Sequence, residues 1–285
     1  MPDPKPRFNR TAVSLTIGVI MAFFIAYFPV WKRLVQAWLG SEEYSHGFFV
    51  VPLSLYVLWR KKELLSEIPG SPSRWGMGVV VLSLSIYVFA HVGEILTVAS
   101  FSMLLLIAGT VLYLFGLSVL KELAFPLVFL LFMIPIPSQI YSALTIPLQL
   151  FVSKASVWMA ECFAIPIYRE GNIIHLPGRT FEVVRACSGL RSMISLLALS
   201  AVFGYFTLTS PLFRIILFFS GIPAAILVNV IRVLLLVTAF HYFSVDFTVG
   251  SIHTIFGMCI FLLALLFILG IKGILSNWDK HFTEG

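Results

Sequence analysis

The sequence predicts an all-α polytopic membrane protein with about eight transmembrane helices, an interfacial amphipathic helix and a small external hairpin. Three observations support this fold class. Hydrophobic residues make up 59% of the 285-residue chain and charged residues only 11%, whereas soluble domains contain roughly 25% charged residues. The mean hydropathy is +1.00. Several apolar runs also approach the roughly 20 residues that a membrane-spanning helix needs.

The predicted spans follow one another with short connections. They comprise residues 12–31, 46–59, 76–93, 95–117, 122–136, 189–206, 212–241 and 251–271. Basic residues precede the first run, as in a signal peptide, but no small-residue cleavage site follows it, so we expect a retained span. We expect residues 1–285 to form a single integral membrane domain.

The segment 138–165 is more polar than the predicted spans. Its polar members are Gln139, Gln149, Lys154 and Glu161. This mixture favours an interfacial amphipathic or re-entrant helix, and a further span is the alternative. Residues 166–186 are expected to form an external loop, because NIIHL and TFEVV flank the turn at 177–179 as the strands of a small hairpin.

The basic residues indicate how the chain is oriented. The net charge of +6 is interpreted as basic loops at the cytoplasmic face, not as a nucleic-acid surface. If 138–165 lies in the interface, both termini are cytoplasmic and the inner segments contain more lysine and arginine than the outer ones. The start of the span 189–206 then lies at the outer face. If 138–165 crosses the membrane, that start moves to the cytoplasmic side.

The chain contains 3 cysteines, Cys162, Cys187 and Cys259, at wide spacing. They predict no disulfide framework and no zinc site of the CxxC type, and we expect no metal or other cofactor. Cys162 and Cys259 are interpreted as inert core residues. Cys187 differs, because it lies between Arg185 and Arg191 in the run VVRACSGLRSM.

Helical geometry predicts that Cys187 meets two other reactive side chains at the outer interface. Arg232 lies roughly 30 Å along its span, and His253 lies in the first turn of the last one. An ionisable residue inside an apolar run, such as Arg232, indicates function. The residues 187–271 are therefore expected to supply the catalytic helices.

The three candidate catalytic groups suit acyl transfer. The positive end of a helix dipole favours the thiolate of Cys187. His253 fits a general base for the thiol and then an acid for a leaving amine. Arg232 fits the binding of a carboxylate or of a tetrahedral oxyanion.

Neighbouring residues are predicted to support the site or bind substrate. Ser188 and Gly189 keep the first helical turn small, which leaves backbone N–H groups open to an oxyanion. Asn229 lies one turn before the candidate arginine and faces the same way. Arg185 and Arg191 add positive charge, although Arg191 also fits a simple headgroup contact.

Two other interpretations use the same residues. A transporter or flippase would bind an anionic or lipid-linked substrate with Arg232 and His253, but it predicts polar residues spread through the membrane depth. The second interpretation is a metal site formed by His46, Cys187 and His253. No paired-ligand spacing in the sequence supports it.

Several motifs resemble those of the exosortase/archaeosortase family in order and spacing. They are SHGFFVVP at 45–52, ACSGLRS at 186–192, NVIR at 229–232 and GSIHTIFG at 250–257. The resemblance extends over nearly the whole chain, and it implies that Cys187, Arg232 and His253 are the catalytic residues. Archaeal members have arginine at the third position, so His253 resembles the bacterial exosortases and acts either as a base or as a stabiliser of charge.

The resemblance also implies an activity and a location. Such enzymes are proposed cysteine transpeptidases that cleave a PEP-CTERM tail, which consists of a Pro-Glu-Pro type motif, a hydrophobic span and a basic cluster. The exported protein would pass through a Cys187 thioester to an acceptor. The implied setting is the bacterial inner membrane, with the active site at the periplasmic face and an association with exopolysaccharide loci. The implied partners are membrane-anchored substrates and lipid, not nucleic acid.

Overall fold

The computed structural model describes residues 10–182, 190–245 and 250–284 of the chain. The chain divides into two compact units, Met1–Pro135 and Ile136–Gly285. In the described ranges both units are built from α-helices, and the second also contains a three-stranded sheet. This architecture confirms the predicted all-α polytopic membrane fold.

The first unit consists of helices and short connections. Its helices are α1 (Arg10–Ala26), α2 (Phe28–Gly40), α3 (Gly47–Arg60), α4 (Lys62–Glu67), α5 (Trp75–Val92), α6 (Leu96–Phe115), α7 (Leu117–Glu122), α8 (Ala124–Phe129) and a 3-10 helix (Leu130–Met133). The antiparallel pair α5 and α6 packs closely, because Gly76 and Gly109 leave room for the facing helix.

The remaining helices of the first unit pack through hydrogen bonds to backbone carbonyls. The Tyr87 hydroxyl donates to the Ala26 carbonyl at 2.6 Å, where α1 and α2 meet at an angle of 59°. Trp38 Nε1 donates to the Met133 carbonyl at 2.9 Å, and Ser54 Oγ donates to the Pro126 carbonyl at 3.3 Å. These bonds join helices that are distant in the sequence, since each acceptor carbonyl is more than 60 residues from its donor.

The second unit consists of four helices and the sheet in its described part. Its elements are α9 (Ser138–Cys162), β1 (Tyr168–Glu170), β2 (Ile173–Leu176), β3 (Arg179–Glu182), α10 (Leu190–Thr207), α11 (Pro211–Phe243) and α12 (Gly250–Glu284). Strands β2 and β3 form the predicted hairpin around Gly178, whose φ of 82° suits glycine. β1 pairs antiparallel with the free side of β2 and completes an antiparallel meander.

Two apolar clusters hold the second unit together. One joins α10, α11 and α12 through residues such as Leu196, Leu217 and Ile268. The other joins the sheet to α9 and α11 through residues that include Ile174 and Val233. Because α11 contributes to both clusters, it is the central helix of this unit.

The number of spans differs from the predicted number. Six helices of the described chain are long and apolar enough to cross a membrane, or seven if α1 and α2 form one bent span. The predicted spans at 46–59 and 122–136 become the shorter apolar helices Gly47–Arg60 and Ala124–Met133. A helix of 14 residues such as α3 is roughly 21 Å long, which is less than the roughly 30 Å of hydrocarbon in a bilayer.

Most of the segment 138–165 forms one continuous helix, α9, which ends at Cys162 and has 25 residues. Its length and composition make α9 a candidate membrane span. A span is the alternative that the sequence left open beside an interfacial helix. Lys154 and Glu161 are exposed, whereas Gln149 is buried. The helix therefore turns its charged residues away from the rest of the unit.

Candidate functional site

The candidate site is centred on Arg232 of α11. The Arg232 and Asn229 side chains are 8% and 5% exposed, so both face the interior of the second unit, as their spacing predicts. Arg232 and Asp279 are the charged residues that are buried in the described chain. Arg232 lies roughly 30 Å along α11 from Pro211, and the helix continues to Phe243. A buried arginine thus lies about one hydrocarbon thickness from the start of its helix.

Helix α12 passes next to the Arg232 guanidinium at Gly257. A β-carbon added to Gly257 would lie 3.6 Å from Arg232 Nη2 and 4.0 Å from Cζ. His253 precedes Gly257 by four residues, and residues at this spacing share one face of a helix. The structure describes the backbone of His253 in the first turn of α12, and its side chain lies outside the described part. Helix α12 therefore packs against α11 at the level of Arg232.

Helix α9 supports the other side of the same stretch of α11. Ser156 Oγ donates to the Val230 carbonyl at 3.3 Å, and Ser153, Ser156 and Ala160 are buried on this face of α9. Small side chains allow two helices to approach closely. The residues between Asn229 and Arg232 are consequently held between α9 and α12.

The sheet packs on α11 just beyond this level. Ile174 and Leu176 of β2 contact the cluster that contains Val233. Phe181 of β3 meets Phe240 edge to face, with 5.3 Å between ring centroids. The last strand before the predicted cysteine segment therefore packs on α11 about two turns beyond Arg232.

Cys187, Ser188, Gly189 and Arg185 lie outside the described residues. The structure describes the two ends of their segment, Glu182 at the end of β3 and Leu190 at the start of α10. Leu190 is 1% exposed. Arg191, in the first turn of α10, is exposed.

The packing of α10 on α11 defines the level at which α10 begins. A β-carbon on Gly204 would lie 3.5 Å from Arg214 Cα, and one on Gly221 would lie 3.2 Å from a Leu197 methyl group. The two helices are antiparallel and rise about 1.5 Å per residue. Residue 197 of α10 is level with residue 221 of α11. Because the helices run in opposite directions, residue 190, which is 7 residues before 197, is level with residue 228 of α11. The start of α10 therefore lies one turn of α11 from Arg232.

The sequence interpretation missed the supporting side chains on other elements. Ser156 and Phe240 were not singled out, although they hold α9 and the sheet against α11. A signal for Ser156 exists, because serine and alanine recur at helical spacing at 153, 156 and 160. No comparable signal exists for Phe240, since it is one of 27 phenylalanines.

No group of three or more metal-ligating side chains occurs among the residues that the structure describes. His46, in the proposed alternative metal set, lies just before α3, and its Nε2 is 3.0 Å from the Phe132 carbonyl. One ring nitrogen of His46 is therefore paired with a backbone carbonyl of the first unit.

Comparison with known proteins identifies the family. A family model described as transmembrane exosortase matches residues 38–270, which include both the buried Arg232 and the helices around it. No curated protein and no solved structure matches the chain. Since the match covers most of the sequence and extends over both units, the chain belongs to the transmembrane exosortase family.

Proposed function

We propose that this chain is a membrane-embedded cysteine transpeptidase that cleaves the C-terminal PEP-CTERM-type sorting signal of exported proteins. The observation that carries the proposal is the buried Arg232 guanidinium beside Gly257, one helical turn from His253. The family suggests protein sorting. A sorting transpeptidase needs a group that stabilises charge next to its nucleophile, and a buried arginine suits this need.

The proposed reaction passes through a covalent intermediate. The Cys187 thiolate attacks the carbonyl carbon of the scissile peptide bond and forms a tetrahedral oxyanion. The carbon–nitrogen bond then breaks, the leaving amine takes a proton, and a thioester remains on Cys187. An acceptor nucleophile attacks the thioester, loses its proton and releases the thiolate, so that the enzyme is regenerated.

Arg232 and His253 have distinct proposed roles. Arg232 stays protonated and stabilises the oxyanion, or pairs with the glutamate of the sorting motif. His253 supplies the proton to the leaving amine if it is the base for the thiol. If it acts as a stabiliser of charge instead, the proton comes from water. Ser188, Gly189 and Asn229 are proposed to contact the substrate carbonyl, and Arg185 and Arg191 to add positive charge.

The substrate is proposed to reach the site from within the bilayer. Its hydrophobic tail would pack as a helix against α10, α11 and α12, whose exposed apolar side chains include Leu227 and Ile255. The sorting motif would then lie at the end of that helix, next to Cys187. The proposed location is the bacterial inner membrane, with the site at the periplasmic face and both termini in the cytoplasm.

Co-expression of the enzyme with a secreted reporter that carries a PEP-CTERM tail tests the proposal. Cys187→Ala should abolish processing, because the nucleophile is lost. Arg232→Ala should slow processing about 100-fold or more, as expected for removing an oxyanion-stabilising group. His253→Ala should also slow it. Processing is measured by the change in reporter mass and by capture of the thioester with hydroxylamine.

Cys162→Ala and Cys259→Ala are the matched controls. Both thiols are exposed and not, as predicted, buried in the core. These variants should process the reporter normally. Processing that persists in Cys187→Ala at the rate of the parent protein would refute the assignment of the nucleophile.

A further inference from the structure

A cavity of about 390 Å³ opens in the first unit. It lies where α2 crosses the turn between α5 and α6. Its floor is apolar and contains the buried residues Val30, Ala90 and Ala99. Cavities of a few hundred cubic ångströms with an apolar floor and a few polar groups are typical of small-molecule sites.

Ionisable side chains line the same cavity. They are Arg33, His91 and Glu94, and all three are exposed. Arg33 Nη2 donates to the Glu94 backbone carbonyl at 3.0 Å and does not pair with the Glu94 carboxylate. Among the described residues, neither Arg33 nor Glu94 takes part in an ion pair. A guanidinium and a carboxylate therefore lie at one cavity without neutralising each other.

The backbone at Glu94 adds a second observation. Glu94 has a φ of 54°, in the left-handed region that glycine adopts without strain. Glycine would adopt this backbone with less strain, yet the turn has glutamate at this cavity-lining position.

The position of the cavity in the chain indicates its depth in the membrane. The turn at 93–95 joins two candidate spans, Trp75–Val92 and Leu96–Leu114. A turn between two spans lies at the membrane surface, where lipid headgroups are found. The ionisable rim is then level with the headgroups, and the apolar floor is level with the first acyl carbons.

We propose that this cavity binds the headgroup of a zwitterionic phosphoethanolamine lipid. Arg33 and His91 donate hydrogen bonds to the phosphate, and the Glu94 carboxylate accepts hydrogen bonds from the ammonium group. The acyl chains begin against Val30. An anionic headgroup supplies no ammonium group for the Glu94 carboxylate, and a choline headgroup has no N–H to donate.

Thermal unfolding of the purified full-length protein in mixed micelles tests this site. The micelles contain phosphatidylethanolamine, phosphatidylcholine or phosphatidylglycerol with the same acyl chains. Phosphatidylethanolamine should raise the unfolding temperature most, and native mass spectrometry should find it bound at about tenfold higher occupancy than the other two, as expected for an added charge-assisted hydrogen bond. Soluble phosphoethanolamine should have no effect, because it lacks acyl chains.

Three variants link the effect to the cavity. Arg33→Ala and Glu94→Gln should lose most of the phosphatidylethanolamine shift. Glu94→Gly should raise the unfolding temperature without lipid, because glycine relieves the left-handed strain, and should still lose the lipid shift. Arg74→Gln, at the opposite end of α5, is the control and should keep it.

The proposal is wrong if the three lipids shift the unfolding temperature equally or if Glu94→Gly keeps the full shift. A preference for phosphatidylglycerol that survives Glu94→Gln would also overturn it, because the site would then bind a simple anion. A shift with soluble phosphoethanolamine would exclude the bilayer as the source of the ligand.

Discussion

Arg232 carries a permanent charge on a helix face that is apolar apart from Asn229. The other buried residues near it on α11 include Val228, Val233 and Leu236. An arginine in a membrane helix is costly unless its charge reaches polar surroundings or a partner, and an inward direction requires space beside the helix. Gly257 of α12 provides that space, since it has no side chain to displace the guanidinium.

The size of residue 257 should therefore control activity. In Gly257→Ala the added methyl group lies at an ordinary contact distance of 3.6 Å from Arg232 Nη2, so reporter processing should stay within a few-fold of the parent. In Gly257→Leu the larger side chain should displace the guanidinium. A displacement of about 1 Å costs on the order of 100-fold in rate. The rate of reporter processing and the unfolding temperature of the purified variants check both expectations.

Gly270→Leu is the matched control, because a β-carbon on Gly270 has no atom within 4 Å. It introduces the same side chain on the same helix and should leave processing unchanged. Equal loss of processing in Gly257→Leu and Gly270→Leu would show that leucine harms α12 in general. In that case the contact with Arg232 would not explain the loss.

At the scale of the elements, Asp279 fixes α12 to the turn between α10 and α11. Its carboxylate accepts hydrogen bonds from the Thr209 backbone N–H, the Thr209 hydroxyl at 2.8 Å and the Ser210 N–H at 3.1 Å. Ser210 is the residue before α11, so Asp279 caps the start of the central helix from a distant part of the chain. A carboxylate at a helix start also opposes the positive end of the helix dipole.

Removing this cap should destabilise the second unit. Hydrogen bonds to a charged group contribute more than those between neutral groups, so Asp279→Ala should lower the free energy of unfolding clearly more than an ordinary surface substitution does. Asp279→Asn should have a smaller effect, because the amide oxygen still accepts hydrogen bonds but lacks the charge. Thermal or denaturant unfolding in detergent measures both changes.

Asn277→Ala serves as the control, since Asn277 is exposed and lies on the same turn of α12. Its effect should stay within about 0.5 kcal/mol. If Asp279→Ala lowers the free energy of unfolding no more than Asn277→Ala does, the carboxylate does not hold the turn in the membrane-embedded protein.

At the scale of the whole molecule, α9 determines which side of the membrane the site faces. With a cytoplasmic N-terminus, the bent pair α1–α2 crosses once and α5 and α6 together cross twice. The short helices at 47–60 and 124–133 do not change the side of the membrane on which α9 begins, provided that both of them cross the membrane or neither does. The segment that contains Cys187 is therefore at the outer face if α9 lies in the interface, and at the cytoplasmic face if α9 crosses.

Labelling of Cys187 tests this orientation. The Cys162→Ser/Cys259→Ser background is needed, because both of these thiols are exposed. In this background a membrane-impermeant maleimide should modify Cys187 in spheroplasts from the outside, and a substrate-tail peptide should protect it. Inverted vesicles provide the reciprocal measurement. Modification in inverted vesicles alone would place the site in the cytoplasm and make α9 a span.

Composition and the chemistry of single residues were sufficient to predict the membrane fold, the hairpin and the inward face of Asn229 and Arg232. These features depend on local quantities, namely hydropathy, turn residues and helical spacing. A membrane helix is recognised from its own residues, because the bilayer requires every backbone polar group to be satisfied within the segment.

Only the tertiary structure decided which elements surround the candidate arginine and how long each helix is. The sequence does not show that Ser156 of α9 bonds to α11, or that Asp279 caps its start, because these partners are 74 and 70 residues apart. It also does not show that the run 122–136 breaks into short helices, since apolarity persists where the backbone changes direction. Hydropathy determines that a segment enters the membrane, whereas packing between distant helices determines where it bends and which side chains it brings to Arg232.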